Sequence, residues 1–171
     1  MNGLTFPTYR GRMEYVCLGC GKRYPIDELL YTCPDCGGVF LLENIDFDAL
    51  EKHDGAYWRE LFDARAASRS TALRGIFRYY ELMAPVLEEQ DIVYLGEGLT
   101  PVVEAAPALR ESVGMSFAYK NDGQNPSASF KDRGMACAFS YLKALTRKHG
   151  WDEVLTVCAS TGDTSAAAAL Y

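Results

Sequence analysis

The spacing of apolar residues divides this chain into three regimes. Between residues 12 and 43 apolar positions come in short runs broken by turn residues: Met13, Tyr15 and Val16, then Leu29, Leu30 and Tyr31, then Val39, Phe40, Leu41 and Leu42. Runs of this length, bounded by Gly, Pro and Asp, predict short antiparallel strands joined by tight turns. From 44 to 93 the spacing is helical. Asp46 to Lys52, Tyr57 to Ala67 and Thr71 to Leu82 each read as a helix, with Leu50, Leu61, Phe62, Leu73, Phe77 and Tyr80 as the apolar positions. Residues 94 to 101 form a turn-rich entry into a third regime, in which strand and helix alternate. Ser116 to Lys120 predicts a strand. Residues 130 to 149 predict a helix with Met135, Ala138, Phe139, Leu142 and Leu145 on one face. Ser129 is its expected N-cap, with Asp132 completing a capping-box-like pair. Glu153 to Cys158 predicts a second strand, and residues 159 to 165 turn into an alanine-rich helix that runs to Tyr171. Such alternation predicts parallel strands with crossover helices, the α/β class.

Composition narrows the picture. The 171 residues allow one ordinary domain, or a small module plus part of another, and the apolar share of 49% is that of a folded protein. A net charge of −6 provides no basic face for nucleic acid. No stretch is apolar enough to span a bilayer, and Met1 to Pro7 lack the basic flank and apolar run of an export signal. The expectation is a cytoplasmic protein with neither nucleic acid nor membrane as partner. Six cysteines in a reducing compartment favour metal thiolates over lasting disulfides.

Four of those cysteines have metal spacing. Cys17 and Cys20 form one Cys-x-x-Cys pair and Cys33 and Cys36 a second, with twelve residues between the two pairs. Each turn presents two thiolates to one ion, and two turns complete a tetrahedron. Glycines at 19, 21, 37 and 38 suit the tight turns. The expected ligand is a structural Zn²⁺, in a zinc ribbon over residues 1–43; iron in a rubredoxin-like site is the main competitor, and two disulfides the plainer alternative. Cys137 and Cys158 read as small buried hydrophobes, and His53 and His149 as isolated surface residues.

Lys131 opens the 130–149 helix. A helix start is unfavourable for a cation, so it favours the neutral amine that a Schiff-base lysine needs. Phe130 is placed to pack beside a cofactor ring, and Asp132 and Arg133 to support the loop. An ordinary surface lysine is the plainer alternative. The loop at 159–165 likewise follows a strand and opens a helix, where free amides bind a carboxylate or phosphate; an N-cap with spare hydroxyls is the plainer reading there. In an open parallel sheet both helix starts could face one crevice.

Asn125 to Gly134, Gly96-Glu97-Gly98-Leu99-Thr100-Pro101 and Ala159-Ser160-Thr161-Gly162-Asp163-Thr164-Ser165 together resemble threonine synthase, in order and separation. The four-cysteine ribbon resembles that of some members. The resemblance implies the tryptophan synthase β-like fold, fold type II of the pyridoxal-phosphate enzymes. It implies conversion of O-phospho-L-homoserine and water to L-threonine and phosphate. By the same resemblance Lys131 carries pyridoxal 5′-phosphate and shuttles protons, and Asp163 borders the cofactor's phenolic oxygen. Ser160, Thr161, Gly162 and Thr164 hold the substrate carboxylate, and Lys120 contacts the substrate phosphate. Position 163 departs from this branch of the family, which has Asn there. The family's glycine-rich phosphate loop does not occur in this sequence. The expectation is therefore an N-terminal portion, silent on its own, with a helical connecting layer at 44–93 and a truncated α/β domain at 94–171. The parent enzyme could be a homodimer. Two alternatives stand beside this reading: a zinc-ribbon interaction module with a vestigial enzyme segment, and a sister enzyme of the same fold, such as threonine dehydratase or cysteate synthase.

Overall fold

A computed structural model describes residues 5–171. The first regime forms a three-stranded antiparallel sheet of order β2-β1-β3, from β1 (Met13–Cys17), β2 (Arg23–Pro25) and β3 (Phe40–Asn44). In this register Tyr15 stands opposite Tyr24 on one side and Leu42 on the other. Tyr15 and Tyr24 both pack on Phe40, with ring centroids 5.0 and 5.5 Å away. Leu29 to Tyr31 form no strand. They lie in an irregular stretch with Tyr31 84% exposed, and β1 is already paired on both sides, by β2 and β3.

The helical regime is present in shorter pieces: α1 (Phe47–Leu50), α2 (Gly55–Ala66) and α3 (Tyr80–Met83), with 3₁₀ turns at Thr71–Leu73 and Gly75–Tyr79. Asp54 caps α2 by accepting from the Tyr57 amide at 2.8 Å. Phe77, Tyr80, Ala84 and Leu87 form the buried cluster with Ala136 of a later helix. Beside it lies a buried ion pair: Arg65 of α2 donates to both carboxylate oxygens of Glu81 at 2.6 and 2.7 Å.

The third regime contains β4 (Val102–Glu104), α4 (Pro107–Val113), β5 (Ala118–Lys120), α5 (Lys131–His149) and α6 (Asp163–Leu170). Two expectations require correction. The Ser116–Lys120 strand is shorter and pairs antiparallel with β4, not parallel to a second strand. Residues 153–158 are not a strand; Leu155 and Val157 are each 87% exposed. A strand exists only through a neighbour's hydrogen bonds, and no described segment pairs with this one. Helix α5 is as long as its pattern predicts, ending at Gly150 in the left-handed conformation with Arg147, Lys148 and His149 in its last turn. Its buried stripe differs, however. Asp132, Ala136 and Ser140 are fully buried, whereas Ala138 is exposed. Small side chains let residues 92–94 approach closely, and the Ser140 hydroxyl accepts from the Val93 amide at 2.8 Å.

The ribbon docks on α5. The hydroxyls of Tyr15 and Tyr141 share a hydrogen bond of 3.0 Å, Lys148 pairs with Asp27, and His149 Nε2 donates to the Asp27 carbonyl at 3.0 Å. No helix among the described residues is long and apolar enough to cross a membrane.

Candidate functional site

The two cysteine turns are built alike. In each, the amide four residues after the first cysteine closes on its carbonyl: Gly21 to Cys17 at 2.9 Å, Gly37 to Cys33 at 2.8 Å. Both closing glycines have positive φ, 74° and 70°, which L side chains rarely adopt. The turns face each other and bring all four Sγ atoms within 4.8 Å of one another. Cys17 and Cys36 lie 3.4 Å apart, Cys20 and Cys33 3.7 Å. Zinc–thiolate bonds of about 2.3 Å place tetrahedral corners about 3.8 Å apart. The separations fit such an ion and exceed a disulfide bond of about 2 Å, and all four cysteines are free. Gly38 makes room, since a Cβ there would lie 3.0 Å from Cys17 Sγ.

Electrostatics point the same way. Burial opposes ionisation of Cys33, but the Tyr24 hydroxyl at 3.2 Å and the Asp35 and Cys36 amides outweigh it and bring the thiol down to about 6. Despite the Gly38 amide, the neighbouring Cys17 and Cys20 sulfurs push Cys36 up to about 12. Four thiols this close do not all ionise without a cation among them.

The second site lies at the start of α5. Lys131 is the first helical residue, and its amide donates to Ser129 Oγ at 3.3 Å. The expected N-cap is thus displaced by one residue: Phe130 occupies that position, and Ser129 contacts the helix start from the residue before it. Asp132 does not complete a box with Ser129, but reaches back to the Ser127 amide at 2.7 Å. Ala128, at φ 60°, turns the chain into the helix in a conformation rare for a residue with a side chain. The Lys131 ammonium nitrogen stands 4.6 Å from the centroid of the Phe130 ring. Both residues line a cavity of about 520 Å³, together with Asp122, Arg133, Met135 and Thr164.

Arg133 fixes one wall. It donates to both oxygens of Asp122 at 2.8 and 2.9 Å and to Thr100 Oγ1 at 3.1 Å, while that hydroxyl donates to Asp122 at 2.7 Å. These bonds hold the Asp122 carboxyl down at about 2. Lys120 donates to the Thr100 carbonyl at 2.8 Å and does not line the cavity. On the opposite side Ser129 Oγ donates to Asp163 Oδ2 at 3.2 Å, tying the start of α5 to the start of α6. Ser160 accepts from the Gly162 amide at 3.2 Å. Thr161 and Gly162 are exposed, and neither they nor Ser160 line the cavity.

The fold therefore brings Lys131, Phe130, Asp163 and Thr164 together, although α5 and α6 are joined by no parallel sheet. An amine opening on a cavity beside an aromatic ring, with a carboxylate held nearby, suits the aldehyde and ring of pyridoxal phosphate. The anchoring by Thr100 and Asp122 escapes a reading of the sequence. Its only signal there is the block at residues 96–101, which looks like a turn.

Residues 93–171 match the family described as pyridoxal-phosphate dependent enzyme. Threonine synthase of Methanocaldococcus jannaschii is 40% identical over 156 residues, 91% of this chain and 34% of the relative. Threonine synthase 2 of Arabidopsis thaliana, a chloroplastic protein, is 34% identical over 152 residues, 88% of this chain and 29% of the relative. Threonine synthase of Synechocystis is 43% identical over 100 residues, 57% of this chain and 24% of the relative. The chain thus spans about a third of the length of the curated relatives that it matches over most of its length. Residues 93–171 are thus similar to the pyridoxal-phosphate-dependent enzymes of fold type II, and most of the chain is similar to threonine synthases.

Proposed function

We propose that these residues form part of a cytoplasmic enzyme that converts O-phospho-L-homoserine and water to L-threonine and phosphate. The observation that carries the reading is the Ser129 hydroxyl, which accepts from the Lys131 amide and donates to Asp163. It joins the two sequence blocks that the reaction requires. Bound pyridoxal phosphate supplies an electron sink for charge developing on substrate carbon. Lys131 would carry the cofactor, and its Nζ would hold and move protons at the substrate. Phe130 would pack beside the cofactor ring, and Asp163 would border its phenolic oxygen. The loop from Ser160 to Thr164 binds the substrate carboxylate through amides and hydroxyls at the start of α6. Lys120 contacts the substrate phosphate.

Residues 1–43, of which 1–4 lie outside the described residues, are assigned to a zinc ribbon on Cys17, Cys20, Cys33 and Cys36, residues 44–93 to a helical connecting layer, and 94–171 to part of the catalytic domain. Four protein thiolates leave the metal no open position, so it is structural. The 171 residues alone turn over no substrate, and the enzyme that contains them is a homodimer.

Borohydride reduction of the cofactor-loaded enzyme, followed by peptide mapping, marks Lys131; a mark on Lys120 or Lys143 overturns the assignment. Phosphate is released from O-phospho-L-homoserine by that enzyme. Deamination of threonine without phosphate release would make it a dehydratase instead. Metal analysis gives about one zinc per chain, and stoichiometric iron would replace zinc in the ribbon.

A further inference from the structure

Glu97 has no part in the reaction outlined above, yet it is fully buried. Its Oε2 accepts from the Leu95 amide at 3.0 Å and from the Tyr171 hydroxyl at 2.9 Å. Its Oε1 has no hydrogen-bond partner among the described residues and is pressed against Gly75, where a Cβ would lie 2.6 Å away. Burial pushes this carboxyl above the ordinary range, against its own and the Leu95 amide and the Tyr171 hydroxyl, which favour the charge. A buried carboxyl with one orphan oxygen is costly. Packing alone would be served better by an apolar side chain of the same shape.

The contacts of its neighbours suggest what Glu97 does. The segment that it anchors is fastened at its other end to the loop before Lys131. The Gly98 amide donates to Asn125 Oδ1 at 2.9 Å, and Asn125 Nδ2 donates to the Asp122 carbonyl at 2.8 Å. Thr100 holds Asp122, and Arg133 of α5 holds both. Two turns after the start of α6, the Tyr171 amide donates to the Ala167 carbonyl at 3.3 Å. The near end of α6 carries Asp163 and Thr164. The stretch from Asp163 to Tyr171 is therefore held at two points about 12 Å apart: Asp163 by Ser129, and Tyr171 by Glu97. Both holds lead to the residues around Lys131. Neither Glu97 nor Tyr171 lines the cavity.

We propose that Glu97 and Tyr171 are a positioning pair that sets α6, and with it the substrate-binding loop 160–164, against Lys131. The proposal rests on reading Lys131 as the cofactor lysine. Two holds fix the tilt of a helix and one does not, so loss of the Tyr171 hydroxyl leaves α6 free to tilt about Asp163 and changes the direction in which the adjoining loop 160–162 meets Lys131. Substrate binding suffers first, because the loop at that start holds the substrate.

The test uses the cofactor-loaded enzyme and three variants. Tyr171→Phe deletes one hydroxyl. Glu97→Gln keeps an oxygen that accepts from Leu95 and Tyr171, and Glu97→Leu keeps neither bond. Hydrogen exchange of amides 163–166 and steady-state kinetics are measured, with borohydride marking of Lys131 as a control. In Tyr171→Phe, exchange at 163–166 quickens roughly fivefold to tenfold, as loss of one hydrogen bond allows. KM for the substrate rises by a similar factor, more than kcat falls, and Lys131 is still marked. Glu97→Gln stays close to wild type, and Glu97→Leu follows Tyr171→Phe or exceeds it. Faster exchange confined to 167–171, with KM unchanged, overturns the proposal and makes the pair a packing feature. Failure of wild type to be marked at Lys131 overturns the underlying reading, and the proposal with it. Should Glu97→Leu not fold, Tyr171→Phe alone decides.

Discussion

Tyr24 lies on β2 with its hydroxyl 3.2 Å from Cys33 Sγ and also bonded to Asp35, which in turn pairs with Lys22 at 3.0 Å. A hydrogen bond to a ligating sulfur orients it and tempers its charge, and outer-shell partners of this kind are worth about ten- to a hundredfold in metal affinity. Tyr24→Phe therefore weakens zinc binding by about that factor in competition with a chelator, and unchanged affinity would mean that the bond does not tune the site. Asp122 offers a second residue-scale prediction. Its carboxyl is held at about 2 by Arg133 and Thr100, below its usual 3.8. A depressed carboxyl contributes stability that is fully present above its unfolded pKa and is lost as pH falls through the folded one. The Thr100–Asp122–Arg133 anchor therefore loosens between about pH 4 and pH 2. Asp122→Asn lacks this acid transition in near-ultraviolet circular dichroism, and persistence of the transition in that variant would assign it to another group. The cysteines and Lys131 were legible in the sequence because their signals are local: spacing of two in one case, a helix start in the other. Glu97 and Asp122 were not, because their partners Tyr171 and Arg133 are remote in sequence or masked by a turn-like block.

Among the elements, legibility followed the range of the interactions that make each one. Helices α2 and α5 close their own hydrogen bonds, and their pattern placed them within a few residues. Strands depend on a neighbour, which is why β4 went unforeseen and residues 153–158 did not become a strand. The face of α5 was misjudged in part for a related reason. Of the apolar positions Met135, Ala138, Phe139, Leu142 and Leu145, Leu145 is buried as the spacing predicts, while close packing also buries the small residues Ala136 and Ser140. The contact between α2 and α3 has its own test. Arg65 and Glu81 are buried with side chains only 4% and 8% exposed, and the guanidinium also donates to the Arg78 carbonyl at 2.8 Å. Removing one partner strands a buried charge, at about 3–5 kcal/mol. Glu81→Ala should lower unfolding free energy by about that amount in a urea titration, while Arg65→Met combined with Glu81→Leu should cost much less. Equal losses in the two variants would show that packing, not the unpaired charge, sets the cost.

On the scale of the whole molecule, the ribbon and α5 meet through Tyr15 with Tyr141 and Asp27 with Lys148 and His149. Tyr15 is two residues from Cys17 on the same strand, and Tyr24, which contacts Cys33, is three residues from Asp27. The metal turns and the docking residues thus share β1 and β2. Chelation of the metal should accelerate hydrogen exchange in α5 from Tyr141 to His149, and not only within residues 13–44; protection of 141–149 unchanged by chelation would show that the ribbon docks without its metal. The docking also has a consequence in time. The metal ligands Cys17 and Cys36 are 19 residues apart in sequence, whereas Tyr15 and Tyr141 are separated by 126. Closing the longer loop costs roughly 2 kcal/mol more in chain entropy. At a synthesis rate of about 5–20 residues per second, Lys148 follows Cys36 by roughly 5–20 seconds. The four cysteines thus come together well before α5 exists to cover the sheet that carries them. For that interval Met13, Tyr15, Ile26 and Leu42, which line the crevice between sheet and helix, face water on every nascent chain.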